Sequence, residues 1–414
     1  MKMNDSKLIL REGKKGDKKF AEKMWRELFI DSENENKYYF DNIYKDTNLF
    51  LGELEDNKKT VTLLHKNPYT LLIKDKEFST SYLVGIGTNL EDQGKGYMDM
   101  LLKYTLRKSK EEGKDIVFLT PIDSRIYKKY GFGYISNLEF YKTKCDKVPL
   151  IKIPKEIKIE KIDKDSLEKR FEDLALIYKK KSKEFLVKLK RDKNYYKNIL
   201  KENEILNGRI YIIYKENIPM GYFIFYLNSN KILVREIILL DSQYYKLLFS
   251  FVSQMRNYYE KIEIISYEKS NLNFYMDNQL DIKKEIKPFI MARILDPKKI
   301  LECLELKLDK EDIHNMGIFV EDNILTENSG IYNVSKDKID FNRKADENNY
   351  HFKINIENLS SMVFGYFTMK ELLELGKLEI NDKYFEKINE DKEKYMKKTN
   401  LIFIKGVNYI QEYQ

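Results

Sequence analysis

The stretch LVGIGTNLEDQGKGYMDMLL, Leu83 to Leu102, decides how the chain reads. Thr80 to Asn89 has the composition of a strand and runs straight into a glycine-rich turn. A helix follows from about Tyr97, with Met98, Leu101, Leu102 and Thr105 on its inner face and Gly113 as its C-terminal cap. The first backbone N–H groups of a helix are unpaired and sit at the positive end of its dipole. Glycine there removes the Cβ that would hold a ligand away. The turn Gln93-Gly94-Lys95-Gly96-Tyr97-Met98 is therefore a cradle for a pyrophosphate. Its spacing is neither G-x-G-x-x-G nor G-x-x-x-x-G-K-[ST].

Around this turn the chain alternates strands and amphipathic helices. Lys7–Arg11 reads as a strand. Phe20, Met24 and Leu28 set a helix over Asp17 to Ile30, and Ser32 with Glu35 forms a capping box. Strands are predicted near Asn48–Glu53, Thr60–His65 and Tyr69–Ile73, joined by polar turns. After the motif come a strand over Asp115–Thr120, a short helix over Ser124–Tyr130, and a strand over Phe132–Lys142 that closes the unit. A second unit repeats the order in outline. It has helical stretches over Asp165–Lys201, strands at Arg209–Tyr214, Gly221–Leu227 and Ile232–Leu240, a helix from Ser242 to about Glu260, and a strand over Ile262–Ser266. Boundaries fall in the proline- and lysine-punctuated Lys147–Lys158 and at Leu295-Asp296-Pro297. The predicted domains are 1–148, 149–294 and 295–414.

Composition narrows the class. The 414 residues are 42% hydrophobic, enough for real cores and too much for a disordered chain. No apolar run approaches the roughly 18 residues of a membrane span, and MKMNDSKLIL has no signal-peptide core. Cys145 and Cys303 match neither a disulfide framework nor a metal spacing, which points to a reducing, cytoplasmic setting. His65, His314 and His351 are scattered, so no metal site or histidine-centred triad is expected. The net charge of +8 is spread over mixed Lys and Glu, so neither nucleic acid nor membrane is an expected partner.

The turn Gln93 to Met98 fits the [Q/R]-x-x-G-x-[G/A] pattern that grips the pyrophosphate of coenzyme A, with Met98 where Gly or Ala is usual. With its flanking strand and helix it resembles the GCN5-related N-acetyltransferase superfamily. The entry WRELFIDS with Tyr39-Phe40, the GTNLEDQGKGYM turn and the corner IYKKYGF are similar to the enhanced intracellular survival (Eis) family. The specific motifs cover about the first third of the chain. Leu90 departs from a usual proline, and Gln414 from a usual terminal aromatic.

The resemblance implies an α/β (α+β) chain of two tandem GCN5-related acetyltransferase-like domains, the second degenerate, and a sterol-carrier-protein-like domain. It implies an acetyl-CoA-dependent N-acetyltransferase acting on primary amines, with aminoglycosides or lysine side chains as acceptors, and a homo-oligomer, a hexamer. The second unit's turn, Asp241-Ser242-Gln243-Tyr244, has no glycine and reads as an ordinary helix cap without a coenzyme site.

Site residues follow on the same terms. Backbone N–H groups of Ile86, Gly87 and Thr88 can polarise the thioester carbonyl, while Gly85 and Gly87 also read as permitting close packing or a bulge. Gln93, Gly94, Lys95, Gly96, Tyr97 and Met98 hold the coenzyme. Tyr127 matches the family's general acid, with Tyr130 and Tyr134 as competitors. The family's base is its own terminal carboxylate, here that of Gln414. Trp25 with Phe29 and Phe40 either walls the acceptor pocket or packs a core. Asp31 stands where an acidic mouth attracts a cationic amine, and Glu35 is equally explained by the capping box. Cys145 lacks a histidine partner and is set aside as an acyl carrier. The rival readings are a coenzyme- or apolar-ligand-binding protein without turnover, and a basic nucleic-acid binder.

Overall fold

The computed structural model describes residues 7–304, 315–335, 338–343, 349–399 and 403–412. Three sheets organise them. The first has the strand order Leu8–Glu12, Leu49–Leu54, Thr60–Ile73, Lys76–Thr88, Ile116–Leu119, Met291–Ile294 and Gly133–Tyr134, with Val187–Leu189 added beside the far end of Thr60–Ile73. The second runs Lys283–Pro288, Asn137–Lys144, Lys261–Tyr267, Lys231–Leu239, Ile218–Asn228, Gly208–Lys215 and Ile157–Ile162. The third has five strands centred on Met316–Glu321.

The first two sheets share one device. Each has a long hairpin closed by two residues with positive φ, Lys74-Asp75 (46° and 68°) and Glu216-Asn217 (48° and 68°). That conformation matches the right-handed twist of the strands it joins. In each sheet a parallel pair follows: Lys76–Thr88 with Ile116–Leu119, and Lys231–Leu239 with Lys261–Tyr267.

Three elements differ from the sequence reading. Thr60–Ile73 is one continuous strand through Pro68. On one side its pairing with Leu49–Leu54 ends at His65, and pairing with Val187–Leu189 begins only at Leu71. Pro68 thus falls where that edge has no strand partner, so its missing N–H breaks no ladder there. Val187–Leu189, read within a helical stretch, is a strand between the helices Lys164–Lys181 and Lys193–Ile205. The segment expected to close the first unit is split. Gly133–Tyr134 stays in the first sheet, and Asn137–Lys144 enters the second between Lys261–Tyr267 and Lys283–Pro288.

Met291–Ile294 crosses the other way, between Ile116–Leu119 and Gly133–Tyr134. The two crossing segments are bonded to each other, Ile135 N–H to Ile290 O at 2.9 Å and Phe289 N–H to Ser136 O at 2.9 Å. At this crossing Arg293, with no exposed surface, donates to both carboxylate oxygens of the equally buried Asp322 at 2.7 Å, and also to the carbonyl of Tyr130. Asp322 in turn accepts from the backbone N–H groups of Ile324 and Leu325 and from the Asn328 amide. One ion pair therefore joins the crossing strand, the Tyr130 corner and the third sheet. Asp322→Ala would strand a buried guanidinium. A loss of about 3–5 kcal/mol is expected, read as a lowered urea midpoint, because removing one partner leaves the other charge uncompensated.

Candidate active site

Strand Lys76–Thr88 pairs with Ile116–Leu119 only from Thr80 to Tyr82. Beyond Tyr82 the two part, and the opening leads to the glycine turn. Gly85 has φ +62°, and the register against Thr60–Ile73 slips between Leu63 and His65. A Cβ on Gly85 would lie 2.2 Å from the Trp25 ring, and one on Gly87 2.5 Å from Leu28. These glycines let the helix Lys18–Leu28 lie directly across the strand. The Gly87 carbonyl accepts from Thr62 Oγ1 at 2.8 Å, which pins the strand beside the bulge. Ile86 and Thr88 are half-buried on either side of Gly87.

The turn itself is open. Gly94 and Gly96 have φ of +78° and +80°, and a Cβ at either would meet nothing within 4 Å. Gln93, Gly94, Lys95 and Gly96 are exposed, while Tyr97 and Met98 are half-buried at the start of the helix Tyr97–Glu111. Buried Asp92 shapes the turn from beneath by pairing with Lys59 and Lys95, both at 2.7 Å.

The three tyrosines of the corner differ in their commitments. Tyr130 donates to Asp99 Oδ1 at 3.0 Å, and the Tyr134 ring stacks on Tyr366. Tyr127, on a short helix capped by Asp123, is 6% exposed, and its hydroxyl has no hydrogen-bond partner among the described residues. Burial pushes its phenol above the ordinary value, so it is a neutral donor at physiological pH.

On the other side of the sheet, Trp25 donates from Nε1 to Asp31 Oδ2 at 2.6 Å and stacks on Tyr39 at 4.6 Å. Phe29 is half-buried against the indole, and Phe40, 2% exposed, lies in the core with its edge to it. Trp25 and Asp31 line a cavity of ≈580 Å³ with Glu35, Tyr38, Glu202 and Arg235. A second cavity, ≈540 Å³, shares Tyr38, Glu202 and Arg235 and adds Asn67, Tyr69 and Glu412. Both lie between the first and second units. Phe29 and Phe40 line neither.

The C-terminal segment reaches this region. Tyr409 N–H bonds to Val187 O at 2.9 Å, and its ring stacks on Phe185. The Glu412 carbonyl accepts from Thr120 Oγ1 at 3.3 Å, and Tyr82 donates to the same hydroxyl at 3.1 Å. The segment thus arrives where the two parallel strands begin to part. Gln414 lies outside the described residues.

Two groups were missed from the sequence. Glu412 is 4% exposed and accepts from Tyr69 at 3.1 Å. A carboxylate inside an otherwise apolar tail was the available signal. His65 had been set aside with the scattered histidines, yet strand register places it opposite Val84, beside the bulge. Its Nδ1 meets the Tyr39 hydroxyl at 2.6 Å and its buried Nε2 has no partner, while burial lowers its pKa to about 3 and keeps it neutral.

In the second unit the equivalent parting of Lys231–Leu239 and Lys261–Tyr267 is occupied by rings. Tyr245 and Tyr267 meet at their hydroxyls, and Phe185 packs on Tyr267. Asp241 caps a 3-10 turn there, Ser242–Tyr244. Among the described residues no cluster of His, Cys, Asp and Glu could hold a metal, and no helix is long and apolar enough to cross a membrane.

Residues 10–135 match the family model of an acetyltransferase (GNAT) domain, 188–294 match a second, and 298–397 match a sterol carrier protein domain. The two acetyltransferase matches together span more than half of the chain. The chain belongs to the GCN5-related N-acetyltransferases. The acetyltransferase has the expected fold: two such domains, then a sterol-carrier-like one. Solved structures share that fold along its length. A GCN5-related N-acetyltransferase from Anabaena variabilis has TM-score 0.77 and 18% identity, over 96% of this chain and 97% of that one. A probable N-acyltransferase from Enterococcus faecalis has 0.78 and 15%, over 99% and 100%. Eis1 from Mycobacterium abscessus has 0.74 and 13%, also over 99% and 100%. No curated protein matches in sequence. The fold uses an acyl-CoA. Gly96→Asp places a carboxylate and a strained Cβ in the glycine turn, and calorimetry should show coenzyme A binding abolished with the fold retained.

A second expectation concerns Glu412. Burial raises its carboxyl to about 7; Arg235 and Arg191 act against this, and Glu202 reinforces it. Above the ordinary value of 4.5 the unfolded chain has released a proton that the folded chain keeps. This group's contribution to stability therefore falls as pH rises from about 4.5 to about 7, and levels off above. Glu412→Gln should remove that fall, measured as urea midpoints of both proteins from about pH 4 to about pH 8.

Proposed function

We propose that the protein transfers the acetyl group of acetyl-CoA directly to a primary amine. The observation that carries this reading is the parting of two parallel strands above a left-handed glycine turn, with an uncommitted buried phenol, Tyr127, on the corner that follows. The pyrophosphate lies on the turn from Gln93 to Met98. The thioester carbonyl lies against Ile86, Gly87 and Thr88, whose backbone amides stabilise the oxyanion that forms. The second unit, its cleft filled by Tyr245 and Tyr267, binds no coenzyme.

In the reaction the amine nitrogen attacks the thioester carbon. The N–C bond forms, the C–S bond breaks, and Tyr127, kept protonated by its burial, gives its proton to the departing thiolate. The amine's proton passes to the α-carboxylate of Gln414 and then to water, while Tyr127 regains its proton from solvent. The course of the tail to Thr120 supports this role for the terminus. The products are the acetamide and free coenzyme A. Trp25 and Asp31 flank the acceptor side, with Phe29 and Phe40 packed behind the indole. Resemblance puts aminoglycosides and lysine side chains among primary amines of this kind.

Tyr127→Phe keeps the ring and removes the proton. The expected fall in kcat is about 10²- to 10⁴-fold with coenzyme affinity nearly unchanged. Tyr130→Phe should cost far less, and the reverse order reassigns the acid. A few residues appended after Gln414 should cost orders of magnitude in kcat, whereas Gln414→Ala, which retains the carboxylate, should not. Undiminished turnover with the appended residues removes the terminus from the mechanism.

A further inference from the structure

The cavity that holds Glu412 is ordered by charge. At its inner end Glu412 is buried, and the only hydrogen-bond partner of its carboxylate among the described residues is Tyr69; Arg235 and Arg191 favour its charged form without forming an ion pair with it. The other interior charges, Glu202 and Arg235, are paired with each other. At the rim stand Lys45, Lys114 and Lys190 against one acid, Asp192. Lys45 has no acidic partner among the described residues, and Lys114 meets only the Ser79 hydroxyl at 3.0 Å. Lys190 pairs with exposed Glu77 at 2.6 Å. Asp192 caps a helix through the N–H of Tyr195.

A buried carboxylate without a cation carries a desolvation cost that an ammonium ligand relieves. An uncompensated lysine rim does the opposite: it attracts an anion and repels a polycation. The neighbouring cavity beside Trp25 carries Asp31, Glu35 and Glu202, but Asp31 is already taken by the indole N–H, and that cavity does not include Glu412. Glu412 is also the group tied through its own carbonyl to Thr120 and Tyr82, where the strands part.

We propose that the acceptor is a primary amine that also carries an anionic group, its ammonium received by the Glu412 side chain and its anion by Lys45 and Lys114. This inference rests on the acetyl-transfer reading for its chemistry, and it narrows the acceptors away from polycations such as aminoglycosides. Glu412 receives and positions the amine, while proton removal remains with the terminus.

Three amines of equal chain length test it: aminocaproate, hexamethylenediamine and n-hexylamine. With the full-length protein and acetyl-CoA, thiol release should show kcat/KM for aminocaproate above that for hexamethylenediamine by roughly tenfold, the equivalent of one modest charge interaction. Glu412→Gln should raise KM for aminocaproate by roughly tenfold to a thousandfold while changing kcat little. Lys45→Glu with Lys114→Glu should reverse the order of aminocaproate and hexamethylenediamine. Calorimetry of aminocaproate binding gives a readout independent of turnover. If amines are acetylated but hexamethylenediamine is used as well as aminocaproate or better, the inference is overturned and acetyl transfer stands. If aminocaproate binds in a manner that Glu412→Gln abolishes, yet no amine releases thiol, the transfer reading fails and the cavity assignment stands. If aminocaproate neither binds nor reacts, the inference is overturned.

Discussion

The arrangement depends on a buried ion pair at a strand crossing. Arg293 arrives on Met291–Ile294, a strand that follows the whole second sheet in sequence yet lies in the first. Its guanidinium holds Asp322 of the third unit and the carbonyl of Tyr130 at once. A Cβ on Gly131 would fall 2.0 Å from that guanidinium, so the corner Tyr127–Phe132 closes around the arginine only because glycine is there, at φ +83°. Replacing such a pair by apolar groups of equal volume is often tolerated in other proteins, so its presence is weak evidence about stability alone. Its consequence here is geometric. The phenol of Tyr127 and the floor beside Ile116–Leu119 are placed by residues from all three units.

The bulge on the central strand is the second constraint, and it works by subtraction. Gly85 and Gly87 lack the side chains that would push Trp25 and Leu28 away. The indole then fills the place where a strand residue would otherwise pack, and it brings Tyr39, Phe40 and His65 around it. Close packing at these glycines and a strand that admits a ligand are compatible readings. A strand distorted to admit a helix on one face has a broken register and parts from its neighbour, so the close packing at the glycines and the opening in the sheet go together.

What could be read from the sequence was what is local. The glycine turn, the capping box of Ser32 and the amphipathic Lys18–Leu28 are each specified by residues within a turn or two of one another. What escaped depends on pairing between distant segments. Thr60–His65 and Tyr69–Ile73 read as two strands joined by a polar turn, and the absence of a neighbour at the edge beside Pro68 lets them run as one. Asn137–Lys144 alternates like any half-buried strand, and nothing in it says which sheet it joins. Phe40 has the spacing of either a pocket wall or a core residue, and the core took it. His65 has no local signature at all, and Glu412 has only its being the one acid of the tail. Each acquires its meaning from strands more than fifteen residues away in sequence, Val84 for His65 and Tyr69 for Glu412.

The two acetyltransferase units share a topology and differ in what fills the wedge between their parallel strands. In the first unit the wedge is left open beside a turn whose glycines face empty space. In the second, Tyr245, Tyr267, Phe185 and Tyr409 close it with four aromatic rings. Three of those rings come from outside the sheet, Tyr245 from the helix Tyr245–Ser253, Phe185 from the chain just before Val187–Leu189 and Tyr409 from the C-terminal segment. Phe185 and Tyr409 therefore both fill one wedge and anchor the tail. Fixing Tyr409 against Phe185 and Val187 sets the course of the next three residues, which carry Glu412 across to Thr120 at the foot of the open wedge. The filling of one wedge and the course of the C-terminal segment to Thr120 are, in this packing, consequences of one aromatic cluster.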